Sequence, residues 1–308
     1  TEVTRRLIPV GYTPGILAKS TADLTFALMM ATARRIGESE RWVRQGQWQL
    51  AHHPMHWLGI DIHEATLGII GMGQIGQEVA KRARGFDMDL LYYSKTRKPE
   101  LESLHSMQYR SLPDLMKECD FVSLHIPLNE ETRHIISEPQ LKMMKPTSIL
   151  INASRGPVVD PEALYNALNE KWIYGAALDV TEPEPIAPDS PLLSLDNIII
   201  TPHIGGATYE SMHKTEVFIA AKLSAWIKSL KGIPNSSIYG LPDIDVAPNV
   251  TPWYALILVN IFLFRGRPFL LFNIHKILTA VSLASEPELV KKTLPALKGE
   301  ISISLLAN

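Results

Sequence analysis

Six short apolar runs recur through the middle of the chain, at 65–70 (ATLGII), 89–93 (DLLYY), 120–126 (DFVSLHI), 148–153 (SILINA), 174–180 (YGAALDV) and 197–201 (NIIIT). Each has the length of a strand, and together they read as six strands of a buried sheet. Between them, residues 74–84, 112–117, 139–144 and 161–169 mix apolar and polar positions as crossover helices do. Strand alternating with helix predicts a parallel sheet wound on both faces, an α/β fold of the doubly wound, Rossmann type.

Two longer helical stretches flank this block. The first follows Lys19, where Ser20 and Asp23 have capping-box spacing, and it carries Leu24, Ala27, Leu28, Ala31 and Ala33 toward Arg34. The second covers 208–231, presents Ile219, Leu223, Trp226 and Leu230 at helical spacing, and ends at Gly232 with Pro234 beyond. Both stripes read as core packing. Past Pro234 the chain becomes an apolar tail, 235–308. Its most apolar run, 252–264, falls short of the roughly twenty residues a membrane span needs and is followed by Arg265 and Arg267, so no membrane partner is expected.

Composition changes this picture little. The 308 residues suffice for two domains, and 46 % hydrophobic with 20 % charged content belongs to a globular protein. A formal net charge of -2 and the lack of a long basic run give no footing for a nucleic-acid partner. The one cysteine, Cys119, has no internal disulfide partner and reads as the approach to a buried strand, which fits a reducing, cytoplasmic setting. The chain opens on Thr1 without a basic-then-apolar leader, and a natural N-terminus further upstream is expected.

The candidate chemistry begins at Gly71-Met72-Gly73-Gln74-Ile75-Gly76, which follows the strand TLGII and opens the helix QIGQEVAKRAR. In that context the first glycine turns the chain, the second admits a pyrophosphate to the backbone, and the third lets helix pack on strand. The plain alternative, a glycine-rich turn that binds nothing, leaves the strand, helix and spacing together unexplained. A dinucleotide site is therefore expected. After the second strand, where NAD-binding proteins place an acid, stands YYSKTRK. Ser94, Lys95 and Arg97, with Lys98 beside them, favour a 2′-phosphate and hence NADP(H) over NAD(H). A solvated basic loop is the competing reading.

Three further stretches put polar residues where strands of such a sheet end. They are SILINASRGPVVD with Arg155, YGAALDVTEPEP with Asp179, Glu182 and Glu184, and NIIITPHIGGAT with His203. Reduction of a 2-oxo acid needs a cation for the carboxylate and carbonyl, and an acid to protonate the oxygen as hydride arrives. Arg155 and His203 suit those roles, with Glu182 or Glu184 beside the imidazole. Singly, Arg155 reads equally well as a strand cap paired with Asp160. His52, His53 and His56 have no carboxylate or cysteine at ligand spacing, and no metal is expected.

In order along the chain, IPVGYTPG, TLGIIGMGQIG, NASRGPVVD, GAALDVTEPEP and ITPHIGGAT resemble the D-isomer-specific 2-hydroxyacid dehydrogenase family, most closely its glyoxylate/hydroxypyruvate reductase branch, over residues 7–234. The resemblance implies NADPH-dependent reduction of glyoxylate or hydroxypyruvate to the D-2-hydroxy acid. It implies an Arg-Glu-His catalytic set at Arg155, Glu184 and His203, the glutamate being the one five residues after Asp179. It also implies nicotinamide-side contacts around Pro127, Ala153, Ser154, Asp179, His203 and Gly205, and a homodimer formed through the cofactor domain. Residues 1–18 then read as a remnant of a flavodoxin-like substrate domain, 19–206 as the cofactor domain with its connecting helix, and 207–234 as the helix returning to the substrate domain. The tail 235–308 matches nothing in the family. Most of the substrate domain is expected ahead of RLIPV, so the chain reads as an N-terminally truncated form with impaired turnover. The architecture also resembles the C-terminal-binding corepressors, which sense dinucleotide and are expected to favour NAD(H); a nonfunctional fragment is the third reading.

Overall fold

The computed structural model describes residues 13–50 and 55–229. Leu17–Thr208 forms one compact unit, and the described residues 13–16 and 209–229 belong to a second. Within the first unit, seven strands form one parallel sheet: β1 Thr66–Ile70, β2 Asp89–Tyr93, β3 Met107–Tyr109, β4 Phe121–Leu124, β5 Ile149–Asn152, β6 Gly175–Leu178 and β7 Ile198–Ile200. Their order is β3-β2-β1-β4-β5-β6-β7, so the chain reverses direction across the sheet between β1 and β4. That reversal opens a crevice at the carboxyl ends of the strands, where ligands of such sheets collect.

The helices of this unit, in chain order, are α1 Ala18–Ala33, α2 Ile36–Arg44, α3 Gln74–Ala83, α4 Pro99–His105, α5 Leu112–Glu118, α6 Glu138–Met143 and α7 Pro161–Asn169. Side chains alternate between the sheet's faces. Leu67, Ile69, Tyr92, Phe121, Ile149 and Ile151 pack on one face with Phe26 and Met29 of α1 and Val79 and Ala80 of α3. Ile70, Leu91, Val122, Leu124, Leu150 and Leu178 pack on the other with Leu115 of α5, Leu141 of α6 and Leu164 of α7. Both faces are covered, which is why the strand sequences run apolar without alternation.

All six anticipated strands are present, and three elements were not anticipated. The edge strand β3 has three residues, α4 buries only Leu101 and His105, and α2 buries nothing. The first two are too short to show an apolar stripe, and α2 sets Ile36 and Val43 on a face that the core does not use. The start of α1 also differs from its expected form. Ser20 lies inside the helix and donates to the Leu17 carbonyl at 3.0 Å, so it caps nothing, and Asp23 pairs with Arg82 at 2.7 Å. The buried face of α1 is Ala22, Thr25, Phe26, Met29, Thr32 and Ala33 with Leu28, while Ala27 is exposed. Thr25 and Thr32 join the core because their hydroxyls bond carbonyls one turn back, at 2.8 and 2.9 Å.

In the second unit, α8 covers Tyr209–Ser229. Of the expected stripe only Ile219 has a described side chain; those of Leu223 and Trp226, together with Leu230, Gly232, Pro234 and the tail 235–308, lie outside the described residues. Among the described residues no helix is long and apolar enough to cross a membrane.

Phe121 sits on the central strand β4, fully buried between β1 and β5. Phe121→Ala should therefore cost about 3–5 kcal/mol in urea unfolding, whereas Leu104→Ala, at a side chain 61 % exposed, should stay within about 0.5 kcal/mol.

Candidate active site

Strand register brings three chemical segments to one edge of the sheet. Asn152 of β5 pairs with Leu178 of β6, and Leu178 with Ile200 of β7. Arg155, Asp179 and His203 thus leave neighbouring strands one to three residues beyond an aligned row.

At the end of β6, Asp179 is 2 % exposed. Its Oδ1 accepts from the Thr201 hydroxyl at 2.7 Å and the Ile204 amide at 2.8 Å, and its Oδ2 from the Gly205 amide at 2.8 Å. The turn after β7 is thereby pulled over the end of β6. His203, between those anchors, takes a left-handed backbone (φ 55°), and its Nδ1 lies 2.6 Å from Glu184 Oε1. The imidazole is half exposed and turned to its carboxylate partner through Nδ1, which leaves Nε2 as the ring nitrogen at which a proton can be exchanged.

The other glutamate of TEPEP belongs elsewhere. Glu182 pairs with Arg133 and lies 2.8 Å from His134 Nε2. Burial pushes its carboxyl up, but the bonds from His134 and Arg133 outweigh this and hold it below the ordinary value. Of the two acids left open by residue chemistry, the structure brings Glu184 to His203.

Arg155 follows β5 on a braced turn. Asn152, fully buried, accepts at Oδ1 from the Ser154 amide at 3.0 Å and hydroxyl at 2.8 Å, and donates through Nδ2 to the Arg155 carbonyl at 2.9 Å. Ala153 and Ser154 are buried in that turn. The Arg155 guanidinium donates to the Ser154 carbonyl at 2.6 Å and, among the described residues, has no acidic partner. The expected alternative pair with Asp160 is not formed: Asp160 caps α7, accepting from the Glu162 and Ala163 amides at 3.0 and 3.1 Å. A cation without an acidic partner, at the same ends of the sheet as an imidazole, is suited to an anionic, carbonyl-bearing molecule. The Pro127 carbonyl, two residues beyond His125, accepts from the Thr132 hydroxyl at 2.7 Å.

The phosphate turn has the shape its glycines require. Gly71 has φ 101°, and a Cβ there would lie 2.5 Å from the His125 carbonyl oxygen; at Gly76 a Cβ would lie 2.2 Å from the Gly71 carbonyl oxygen. Gly73 is different, because a Cβ there would meet nothing within 4 Å. That open space faces the start of α3, where no side chain caps the first amides, those of Gln74 and Ile75 among them. Free amides, a helix dipole and unfilled space fit a pyrophosphate.

In the basic turn, Ser94 donates to the Thr96 carbonyl at 2.6 Å, and Lys95 pairs with Glu131 at 2.7 Å, both partners of that pair being exposed. Arg97 reaches Glu102 through Nε and Nη2, both at 2.8 Å. Lys98 bonds the Met72 carbonyl at 3.0 Å, which ties this turn to the phosphate turn. Glu102 was missed in the sequence, since it lies on α4, an element without a periodic signal. Thr201, one of the anchors of the His203 turn, was missed because a threonine closing an apolar run looks like more strand.

Two other singled-out features have structural settings. Cys119 is buried, and burial pushes its thiol up to about 12, the opposite of a reactive cysteine. The His56 ring packs against Trp42 and Trp57 at centroid distances of 5.6 and 4.9 Å, while His52 and His53 lie outside the described residues.

The chain is similar in sequence and fold to known proteins. The glyoxylate reductase of Korarchaeum cryptofilum is 52 % identical over 225 residues, 73 % of this chain and 68 % of that protein. The crystal structure of D-lactate dehydrogenase from Aquifex aeolicus, complexed with NAD and lactic acid, superposes with TM-score 0.67 at 32 % identity, covering 74 % of this chain and 72 % of the other. An acyclic imino acid reductase in complex with NADPH and D-Arg gives TM-score 0.66 at 32 % identity, covering 74 % and 71 %. The chain thus spans about two thirds of the length of such relatives. With the D-isomer specific 2-hydroxyacid dehydrogenase NAD binding domain matching residues 26–205, the chain belongs to the D-isomer specific 2-hydroxyacid dehydrogenase family.

Proposed function

We propose that this chain carries the cofactor domain and catalytic residues of an NADPH-preferring reductase that converts glyoxylate or hydroxypyruvate to the D-2-hydroxy acid. The observation that carries the reading is the His203–Glu184 pair, 2.6 Å apart, at the strand ends that also carry an acid-free Arg155. The relative at 52 % identity is a glyoxylate reductase, and solved neighbours hold either NADPH or NAD.

A bound reduced nicotinamide supplies the hydride for such a reaction. Arg155 holds the substrate carboxylate and draws electron density from the adjacent carbonyl. His203 delivers a proton to the carbonyl oxygen as C2 gains the hydride, so the product is the neutral hydroxyl of a 2-hydroxy acid. Glu184 orients the imidazole and balances its charge while the ring is protonated. Ala153, Ser154, Pro127 and Gly205 bound the nicotinamide side, and the amides after Gly73 hold the pyrophosphate. Asp179 acts through the turn it anchors. Ser94, Lys95 and Arg97 would hold the 2′-phosphate, Arg97 as the bidentate group.

The matched segment leaves about a third of such relatives without a counterpart, and binding is expected to survive better than turnover. Glyoxylate and hydroxypyruvate should consume NADPH slowly with the 308-residue chain and faster once that third is fused from a glyoxylate reductase; a fused protein inactive on both acids sinks the substrate reading. In the fused protein His203→Asn should lower kcat on the order of 10²- to 10⁴-fold. Arg97→Ala should weaken NADPH roughly tenfold in fluorescence titration with a much smaller effect on NADH, and an unchanged preference removes the role given to the basic turn. The reading also includes a homodimer, supported by exposed apolar side chains at Ile36, Val43, Trp48, Leu50, Met55 and Leu58. Sedimentation velocity should give the dimer mass; a monomer at all concentrations rejects it.

A further inference from the structure

We propose that Glu102 limits how strongly this chain prefers NADPH over NADH, by competing with the cofactor's 2′-phosphate for the guanidinium of Arg97. The inference rests on the role given above to the basic turn.

Arg97 offers Glu102 the Nε and Nη2 edge of its fork, with both bonds at 2.8 Å. That is an edge with which an arginine grips a phosphate in two-point fashion. A phosphate arriving here must displace the carboxylate or accept the remaining N–H groups. Glu102 is the fixed member of the pair. Its side chain is 15 % exposed against 62 % for Arg97, and its Oε1 also accepts from the Tyr92 hydroxyl at 2.7 Å. Tyr92 is fully buried, and its hydroxyl in turn accepts the Lys98 amide at 2.8 Å. Arg97 is therefore the side chain free to swing, and Glu102 sets what it gives up in doing so.

Charge acts in the same direction. The bonds from Arg97 and then Tyr92 hold the Glu102 carboxyl down at about 2, so it is an anion at any working pH. As an anion it retains the guanidinium by charge as well as by its two hydrogen bonds, whereas an uncharged ribose hydroxyl makes no such demand on Arg97. Lys98 locates the pair at the cofactor edge, because its ammonium bonds Met72 inside the phosphate turn at 3.0 Å. The sequence therefore lacks an acid directly after β2, yet the fold returns one there from α4, bound to Arg97 of the basic turn. Surface pairs of good geometry are individually modest, so the expected effect is about fivefold in affinity.

The test is a double-mutant cycle on the full chain, titrating NADPH and NADH against wild type, Glu102→Gln, Arg97→Ala and the double variant. With Arg97 present, Glu102→Gln should tighten NADPH about fivefold and NADH less than twofold. With Arg97→Ala, the same change should move NADPH less than twofold. Weaker or unchanged NADPH binding in Glu102→Gln overturns the proposal, the weaker case meaning that the carboxylate positions Arg97 for the phosphate. An equal gain in both backgrounds overturns it as well, since the effect is then not carried by Arg97. If Arg97→Ala alone leaves NADPH affinity intact, the basic turn is not the phosphate site and the inference falls with it. Should the glutamine variant melt early, Glu102→Asp, with the same charge on a shorter arm, takes its place and should give a smaller gain in the same direction.

Discussion

A carboxylate withdrawn from water persists only when its oxygens are bonded, and Asp179 meets that condition by taking hold of the segment after the neighbouring strand. Two backbone amides and one hydroxyl converge on it, all from residues 201–205. The turn therefore has little freedom. His203 accepts a left-handed backbone there, and the direction of its ring follows from the anchors on either side. The parallel register of β5, β6 and β7 does the rest, because it sets Arg155 and Glu184 beyond the same row of the sheet. The geometry of the candidate site is thus a consequence of one buried anion and a sheet register more than of contacts among the candidate groups themselves.

The sheet was legible because both of its faces are covered. Continuous apolar runs such as ILIN and FVSL have no solvent side to interrupt them, and they stand out against the helices between them. What escaped notice lies where burial is one-sided or slight: β3 at the sheet edge, α4 with two buried residues, and α2 with none. The threonines of α1 escaped for a different reason. Their hydroxyls are satisfied by the helix's own carbonyls, so they pack as small apolar groups while reading as polar in a sequence.

The catalytic candidates were legible as residue types at strand ends, and less so as partners. Chemistry alone left two glutamates beside His203. Their separation by a single proline hides that one faces the imidazole and the other is held by Arg133 and His134. Arg133 and His134 follow β4, far away in sequence, and nothing local announces that they will neutralise Glu182. Asp179 was legible as polar but not as an anchor, since its donors are mostly backbone amides, which every residue possesses.

The cofactor edge illustrates how a local motif and a distant residue can pull in different directions. Read locally, SKTRK is a run of positive charge awaiting a phosphate. In the fold its charges are already engaged: Lys95 by Glu131, Arg97 by Glu102, and Lys98 by a carbonyl of the phosphate turn. Engagement is not the same as inactivity. The Lys95 pair is exposed on both sides and easily exchanged for a better anion, whereas the Arg97 pair ends on a carboxylate held from behind by a buried tyrosine. Counting basic residues after the second strand therefore overstates the pull on a 2′-phosphate. The relevant quantity is the difference between what each cation gains from the phosphate and what it relinquishes, and for Arg97 the second term is written into α4.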